Sequence, residues 1–448
     1  MTVAENLAAA MADASVPQGV RAVCERLLVD VAGLCVAARG EDYVAAVKRA
    51  VDPGGACTAI GHAGGFGPGE AALLNGTAAH GEDFDDTFEG GPVHAGAVVV
   101  PAVLAAAERH GLSGAAALRA IALGVEITCR LSTLVPKAVH KAGFHPTAVF
   151  GAIGAAAGCA AALGADRAQT ASALGIAGSL ASGIIEYLAE GTWTKRMHPG
   201  WAAQSGYRAA RLAIGGFAGP RTVFEGEHGL FHAFAHARPK DWDGLLGGFG
   251  GEWVTETIAF KPYACGTMIH PYIDCARRLA ARGIAAERIA AIECETAEGI
   301  LHRLWEPLAA KRNPPNGYAA KFSIPFGIAA GFILGEGGLG AFTDARARDP
   351  ALRALAGKVG YVVDPANPYP KVFTGHIKVT LVDGTVVEER QPHFRGGQAE
   401  PLTRAEIDDK FRLNARHGGW DAARAEGFLA FAGGLFDAAR IDLSAYRG

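Results

Sequence analysis

The sequence predicts a mostly α protein, a large all-helical domain with an inserted smaller α+β lid domain, and three observations predict it. Apolar residues recur at helical spacing from Thr2 to about residue 235, and strand-like alternation is scarce there. After Phe260-Lys-Pro-Tyr263 the pattern turns to a mixture of helix and strand, and from Leu402 to Ala439 it is helical again. A chain of 448 residues also exceeds one ordinary core. The expected division is 1–264 as the first part of the helical domain, 265–397 as the α+β lid, and 398–448 as the helical return.

In the first part, the clearest helices are expected over 20–38, 98–110, 115–131, 147–163, 167–188 and 202–214, separated by loops that glycine and proline punctuate. The chain carries 61 glycines, and pairs such as Gly151 and Gly154 permit close helix approach. Residues 148–165 are apolar for nearly the length of a membrane span. Their small Ala and Gly side chains suit a crowded core helix, so no membrane association is expected. In the lid, 271–282 reads as a helix and 289–296 as a strand. Two alternating runs within 375–389, joined by Asp383-Gly384, read as a hairpin.

Composition narrows the function. Half of the residues are hydrophobic, 19% are charged and the net charge is −3, which offers no basic field for nucleic acid. The eight cysteines include no CxxC pair, and the first residues do not read as a secretory signal, so a cytoplasmic location is expected. No P-loop and no strand-following GxGxxG occurs, and Gly61 to Gly69 lacks the Lys-Ser/Thr of a phosphate cradle. No cofactor is expected. A Gly-x-Ser-x-Gly elbow is missing as well, which leaves serine-type acyl transfer without support.

The residues that promise chemistry begin with a knot of His80, Glu82, Asp83, Asp85, Asp86, Thr87, Glu89 and His94 within fifteen positions, between two alanine-rich apolar stretches. Groups packed so closely shift one another's pKa. Three His-Pro pairs follow, at His145, His198 and His270. Proline favours the first turn of a helix, so each of these histidines is expected at a helix start, where the dipole keeps the ring neutral. Lys195 and Arg196, beside His198, call for anionic partners, which a bound polycarboxylate would supply. Lys261 falls at the expected domain junction. No HxxxH or HxH pair occurs, and Asp83-Phe-Asp-Asp86 lacks the glycine turn and terminal glutamate of a calcium loop, so metal-free chemistry is expected.

These residues carry a resemblance. Asn75-Gly-Thr, Asp83-Phe-Asp-Asp-Thr87, Gly143-Phe-His-Pro-Thr147, Gly175-Ile-Ala-Gly-Ser179, Trp193-Thr-Lys-Arg-Met-His-Pro-Gly200, Gly219-Pro-Arg-Thr222, Phe260-Lys-Pro-Tyr-Ala-Cys-Gly266 and Lys321-Phe-Ser-Ile-Pro325 resemble the MmgE/PrpD family. That family includes 2-methylcitrate dehydratase, cis-aconitate decarboxylase and iminodisuccinate epimerase. The resemblance implies a homodimer, no metal, a small polycarboxylate substrate, and active-site roles for Asp83, Thr87, His94, His145, Lys195 and Lys261. Arg196, His198, Glu89 and Tyr318 join them as substrate-binding candidates. The family's lid tyrosine has no clear counterpart, since Phe322 or Phe326 falls in its neighbourhood and Tyr318 offers a nearby hydroxyl. The Glu89-Gly-Gly-Pro-Val-His94 stretch departs from the family pattern by lengthening the loop and adding a carboxylate.

All three activities make or quench a carbanion beside a carboxylate, which needs a neutral base, a proton donor and cations for the developing charge. His145 and the Asp83/His94 side are expected to exchange protons, while Lys195, Arg196 and Lys261 hold carboxylates. Two acid/base groups on separate segments point first to epimerisation of iminodisuccinate. A dehydratase-like or decarboxylase-like lyase is the alternative, and a non-catalytic carboxylate-binding helical dimer the third reading.

Overall fold

The periodic apolar stretches form helices whose ends are set by local chemistry. In the computed structural model, which describes residues 1–448, they are Gln18–Ala38, Gly96–His110, Gly114–Leu134, Pro146–Ala162, Arg167–Leu180 and Thr194–Ile214. The Ser113 hydroxyl caps one by accepting from Ala116 N at 3.3 Å, and Asp166 opens another in a capping box with Gln169. The fold is mostly α, and no helix is long and apolar enough to cross a membrane. All eight cysteines are free and buried.

The structure departs from the sequence expectations in several places. The helix expected to reach 188 stops at Leu180, where Ala181 turns to extended backbone at ψ 143°, and Gly183 beyond it takes φ of 112°, a conformation that L side chains rarely adopt. The helix expected from 202 starts at Thr194 and carries Pro199 inside it. A further helix, Pro68–Gly81, is buried along most of its length, so it shows no amphipathic stripe, and Pro68 occupies its first turn. The first part is also not purely helical. It contains the strand Pro53–Cys57 and a two-residue antiparallel pairing of Thr87–Phe88 with Ile258–Ala259.

Two compact units result, Met1–Ala259 with Arg404–Gly448, and Phe260–Thr403. In the first, glycines let helices meet backbone to backbone. A Cβ on Gly124 would lie 2.7 Å from the Gly154 carbonyl oxygen, which holds Gly114–Leu134 against Pro146–Ala162. A Cβ on Gly76 would lie 2.6 Å from Gly200 Cα, so Pro68–Gly81 presses directly on Thr194–Ile214. The returning helix Arg404–His417 packs on Gln18–Ala38, where a Cβ on Gly33 would meet the Phe411 ring at 2.9 Å.

The second unit is built on a four-stranded sheet. Val359–Val363 runs parallel to Ile289–Thr296, and Gly375–Leu381 and Val386–Gln391 follow antiparallel. The Asp383-Gly384 turn joins the last two strands, with Gly384 at φ 86°. The parallel edge strand has no signal in the sequence reading, since Val-Gly-Tyr-Val-Val is too short to show alternation. The helix His270–Ala281 crosses this unit, and the buried Tyr263 hydroxyl donates to Asp274, which Arg395 Nε also reaches at 3.1 Å.

Candidate active site

The close contact of Pro68–Gly81 with Thr194–Ile214 delivers polar side chains to one end of both helices. His80 closes the last turn of the first helix, and the chain then passes through Asp83 at φ 56°. A left-handed conformation is uncommon for a residue other than glycine, and aspartate tolerates it better than most. From that turn the Asp83 carboxylate accepts from Lys195 Nζ at 3.0 Å. Next to this pair, Arg196 Nη1 lies 3.5 Å from Glu82 Oε1, its guanidinium sits 4.4 Å from the centre of the Tyr43 ring, and the Tyr43 hydroxyl donates to Glu82 at 3.2 Å. The anionic partners that Lys195 and Arg196 call for are thus found inside the chain, on the turn that follows His80.

Behind the ion pairs lies a row of imidazoles. The His80 ring is 4.8 Å from His94 and 5.5 Å from His145, centre to centre, and His145 is 5.4 Å from His198. Nδ1 of His145 and Nδ1 of His198 share one hydrogen bond of 3.2 Å. Tyr187 stands edge-on to both rings. His145 stands at the N-terminal end of Pro146–Ala162, the expected helix start, without a side-chain capping bond, and its backbone N–H donates to the Gly183 carbonyl at 2.8 Å. His198 does not sit at a helix start. It lies in the second turn of Thr194–Ile214, because the helix absorbs the Thr-Lys-Arg-Met-His-Pro motif whole.

Burial governs the charge state of the row. It pushes His80 and His198 down to about 4, and Lys195 nearby pushes the same way. Burial, then His80 and Lys195, hold His145 well below its ordinary value. All three rings are therefore neutral near pH 7. For Asp85, burial works against ionisation, yet His80 and His94 on either side hold its carboxyl well below the usual range. Asp86 goes the other way, raised to about 7 by burial and by the charge of Asp85. One of two adjacent carboxyls is thus a fixed charge and the other titrates near neutrality.

His94 is half-buried, with Nδ1 donating to the Asp86 carbonyl at 2.7 Å and its backbone N–H to Thr147 Oγ1 at 3.2 Å. Thr87 is half-buried in the short strand, opposite Ala259. The first unit accordingly brings Asp83, His94, His145, Lys195, Arg196 and His198 to one region. Glu89 is exposed on the turn after Phe88. Lys261 and Tyr318 belong to the second unit, the lysine buried at 2% exposure and the tyrosine 38% exposed, edge-on to Phe322.

Three residues central to this arrangement have no role in the sequence reading. His80 and Asp85 stand in the knot of titratable groups without an assignment, and the signal for His80 is a lone histidine ending an alanine-rich run. Lys410 carries no local signal at all. From the returning helix, its buried ammonium donates to the Phe84 carbonyl at 2.6 Å, pairs with Asp30 at 2.7 Å and lies over the Phe84 ring, fixing the loop that holds the site. His80, Asp85 and His94 also present ligand-type atoms within 4.8 Å of one another. Spacing does not reveal that group, since its histidines stand fourteen positions apart.

A helical unit with neutral imidazoles packed beside a lysine–carboxylate pair holds groups that can exchange protons, and comparison with known proteins gives the family. Residues 5–243 match the MmgE/PrpD N-terminal domain and residues 263–428 the MmgE/PrpD C-terminal domain. The chain belongs to the MmgE/PrpD family. It is 31% identical to cis-aconitate decarboxylase of Homo sapiens over 359 residues, 78% of this chain and 73% of that one. The Mus musculus cis-aconitate decarboxylase is 30% identical over 358 residues, 78% of this chain and 72% of the relative. The 2-methylcitrate dehydratase of Cupriavidus necator is 28% identical over 181 residues, covering 37% of this chain and 36% of its own.

Proposed function

We propose that this chain is an acid/base enzyme that works at a carbon α to a carboxylate of a small di- or tricarboxylate, as a lyase in the manner of its relatives. The observation that carries the reading is the row of neutral imidazoles beside the Lys195–Asp83 pair, 3.0 Å apart. A neutral imidazole at His145 can accept a proton from carbon, and a cation close by stabilises the enolate-like charge left on the carboxylate. Substrate carboxylate would compete with Asp83 for Lys195, and with Glu82 for Arg196. Lys261 and Tyr318 enter this reading through their motifs alone. In dehydration the imidazole takes this proton while hydroxide leaves the adjacent carbon with its bonding pair and is protonated to water; in decarboxylation carbon dioxide leaves its bonding pair on the chain, and the proton moves the other way, from a protonated imidazole to carbon.

A second reading is epimerisation of iminodisuccinate. It is favoured by the placement of His94 and His145 on different segments with His80 between them, since inversion needs proton exchange on two faces. We further propose a homodimer, consistent with the exposed Trp193, Trp201, Leu212 and Phe217 of the first unit. Proton NMR in heavy water, with cis-aconitate, 2-methylcitrate and iminodisuccinate stereoisomers in separate tubes, separates the readings. Itaconate formation or loss of water supports a lyase, and deuterium at an α-carbon with interconversion of stereoisomers supports an epimerase. No change in any tube, with folded protein, contradicts both.

A further inference from the structure

Asp85 is fully buried in the turn between His80 and His94. Its Oδ2 meets His80 Nδ1 at 2.7 Å, and its Oδ1 lies 3.4 Å from His94 Nδ1. The shorter contact of His94 Nδ1, 2.7 Å, is to the Asp86 carbonyl. A carbonyl and an ionised carboxylate only accept hydrogen bonds, so both Nδ1 atoms must carry the hydrogen. The His80 ring, kept neutral by burial, then keeps its lone pair on Nε2. In His80, which is 1% exposed, Nε2 has no hydrogen-bond partner although it is buried beside His145. A buried acceptor without a donor costs free energy and persists where a function requires it.

We propose that Asp85 is a positioning residue that fixes His80 as the Nδ1–H tautomer through its Oδ2, so that this buried ring presents an unprotonated Nε2 for proton exchange. This rests on the acid/base reading given above, and it adds His80 as a second imidazole base behind His94. A divalent cation held by Asp85 and the Nδ1 atoms of both rings would require these contacts to be given up. A metal would replace the hydrogen on Nδ1, and the Asp86 carbonyl that Nδ1 now meets at 2.7 Å would lose its donor.

The experiment has two parts. Asp85→Asn keeps the size but removes the ionised acceptor of His80 Nδ1–H, and an amide N–H turned to Nδ1 forces that ring into the opposite tautomer. The expected result is a fall in kcat of about 100-fold or more with KM changed by less than about threefold, as for removal of an orienting carboxylate elsewhere. The second part needs no substrate. Long-range ¹H–¹⁵N spectra of the wild-type protein, with His80→Asn used only to assign signals, should show His80 as the Nδ1–H tautomer near pH 7. Nε2–H at His80, a kcat in folded Asp85→Asn within about threefold of wild type, or a stoichiometric divalent cation lost on Asp85→Asn would overturn the proposal. If Asp85→Asn does not fold, the wild-type spectra decide. If no carboxylic acid is turned over, the tautomers still report on Asp85 while the acid/base reading fails separately.

Discussion

Lys195 Nζ meets Asp83 Oδ1 at 3.0 Å, across a helix start on one side and a left-handed turn on the other. Neither partner is fully buried, with side-chain exposures of 20% and 10%. A cation already paired, in partial contact with solvent, can exchange its internal carboxylate for one on a substrate. Lys195→Ala should therefore lower kcat/KM by about 10²-fold or more with little effect on thermal unfolding. Steady-state kinetics beside a melting curve checks this, and an unchanged kcat/KM would remove Lys195 from the site.

His145 is the base in this account, and its ring is neutral because it is buried near His80, Lys195 and His198. Replacing it with Gln preserves polar contact but cannot take a proton from carbon. Turnover should be abolished while circular dichroism and oligomeric state stay as in wild type. Full activity in His145→Gln would sink the assignment.

The same burial makes stability depend on pH. His80 and His198 are held at about 4, against an ordinary 6.5, so between these values the unfolded chain binds protons that the folded one refuses. Stability from these rings is full above pH 6.5 and is lost as pH falls toward 4, by on the order of 3 kcal/mol per ring. Asp86 has the opposite sign, since its folded pKa of about 7 exceeds an ordinary 3.8 and its share is lost as pH rises through that range. Urea unfolding of wild type and His198→Asn at pH 6.5 and 4.5 should show the smaller acid loss in the variant. Equal losses would contradict a depressed His198.

Lys410 ties the returning helix to the loop of the site. Lys410→Met removes the donor to the Phe84 carbonyl and leaves the Asp30 carboxylate buried beside an apolar chain. A loss of about 3–5 kcal/mol in unfolding free energy is expected, together with lower activity. Stability within about 1 kcal/mol of wild type would show that Asp30 finds other support.

Much of this was legible in the residues. The Phe-His-Pro, Thr-Lys-Arg and Asp-Phe-Asp-Asp-Thr motifs name side chains that the first unit does bring to one region, because local signals such as Pro146 at a helix start fix them. What was not legible depends on tertiary contact. Gly76 and Gly200 meet only once two helices have packed, and that meeting puts His80 among the other imidazoles. The internal partners of Lys195 and Arg196 lie more than a hundred positions away in sequence, and so does the link from Lys410 to Phe84. The early start of Thr194–Ile214 was hidden by Pro199, which reads as a helix boundary but sits inside the helix.

The most direct test of acid/base chemistry beside a carboxylate is proton NMR in heavy water with each candidate acid. Deuterium entering a carbon next to a carboxylate, or product lacking water or carbon dioxide, is expected from wild type and not from His145→Gln. Unchanged spectra for every acid, from folded protein, would contradict the assignment of this site to carboxylate chemistry.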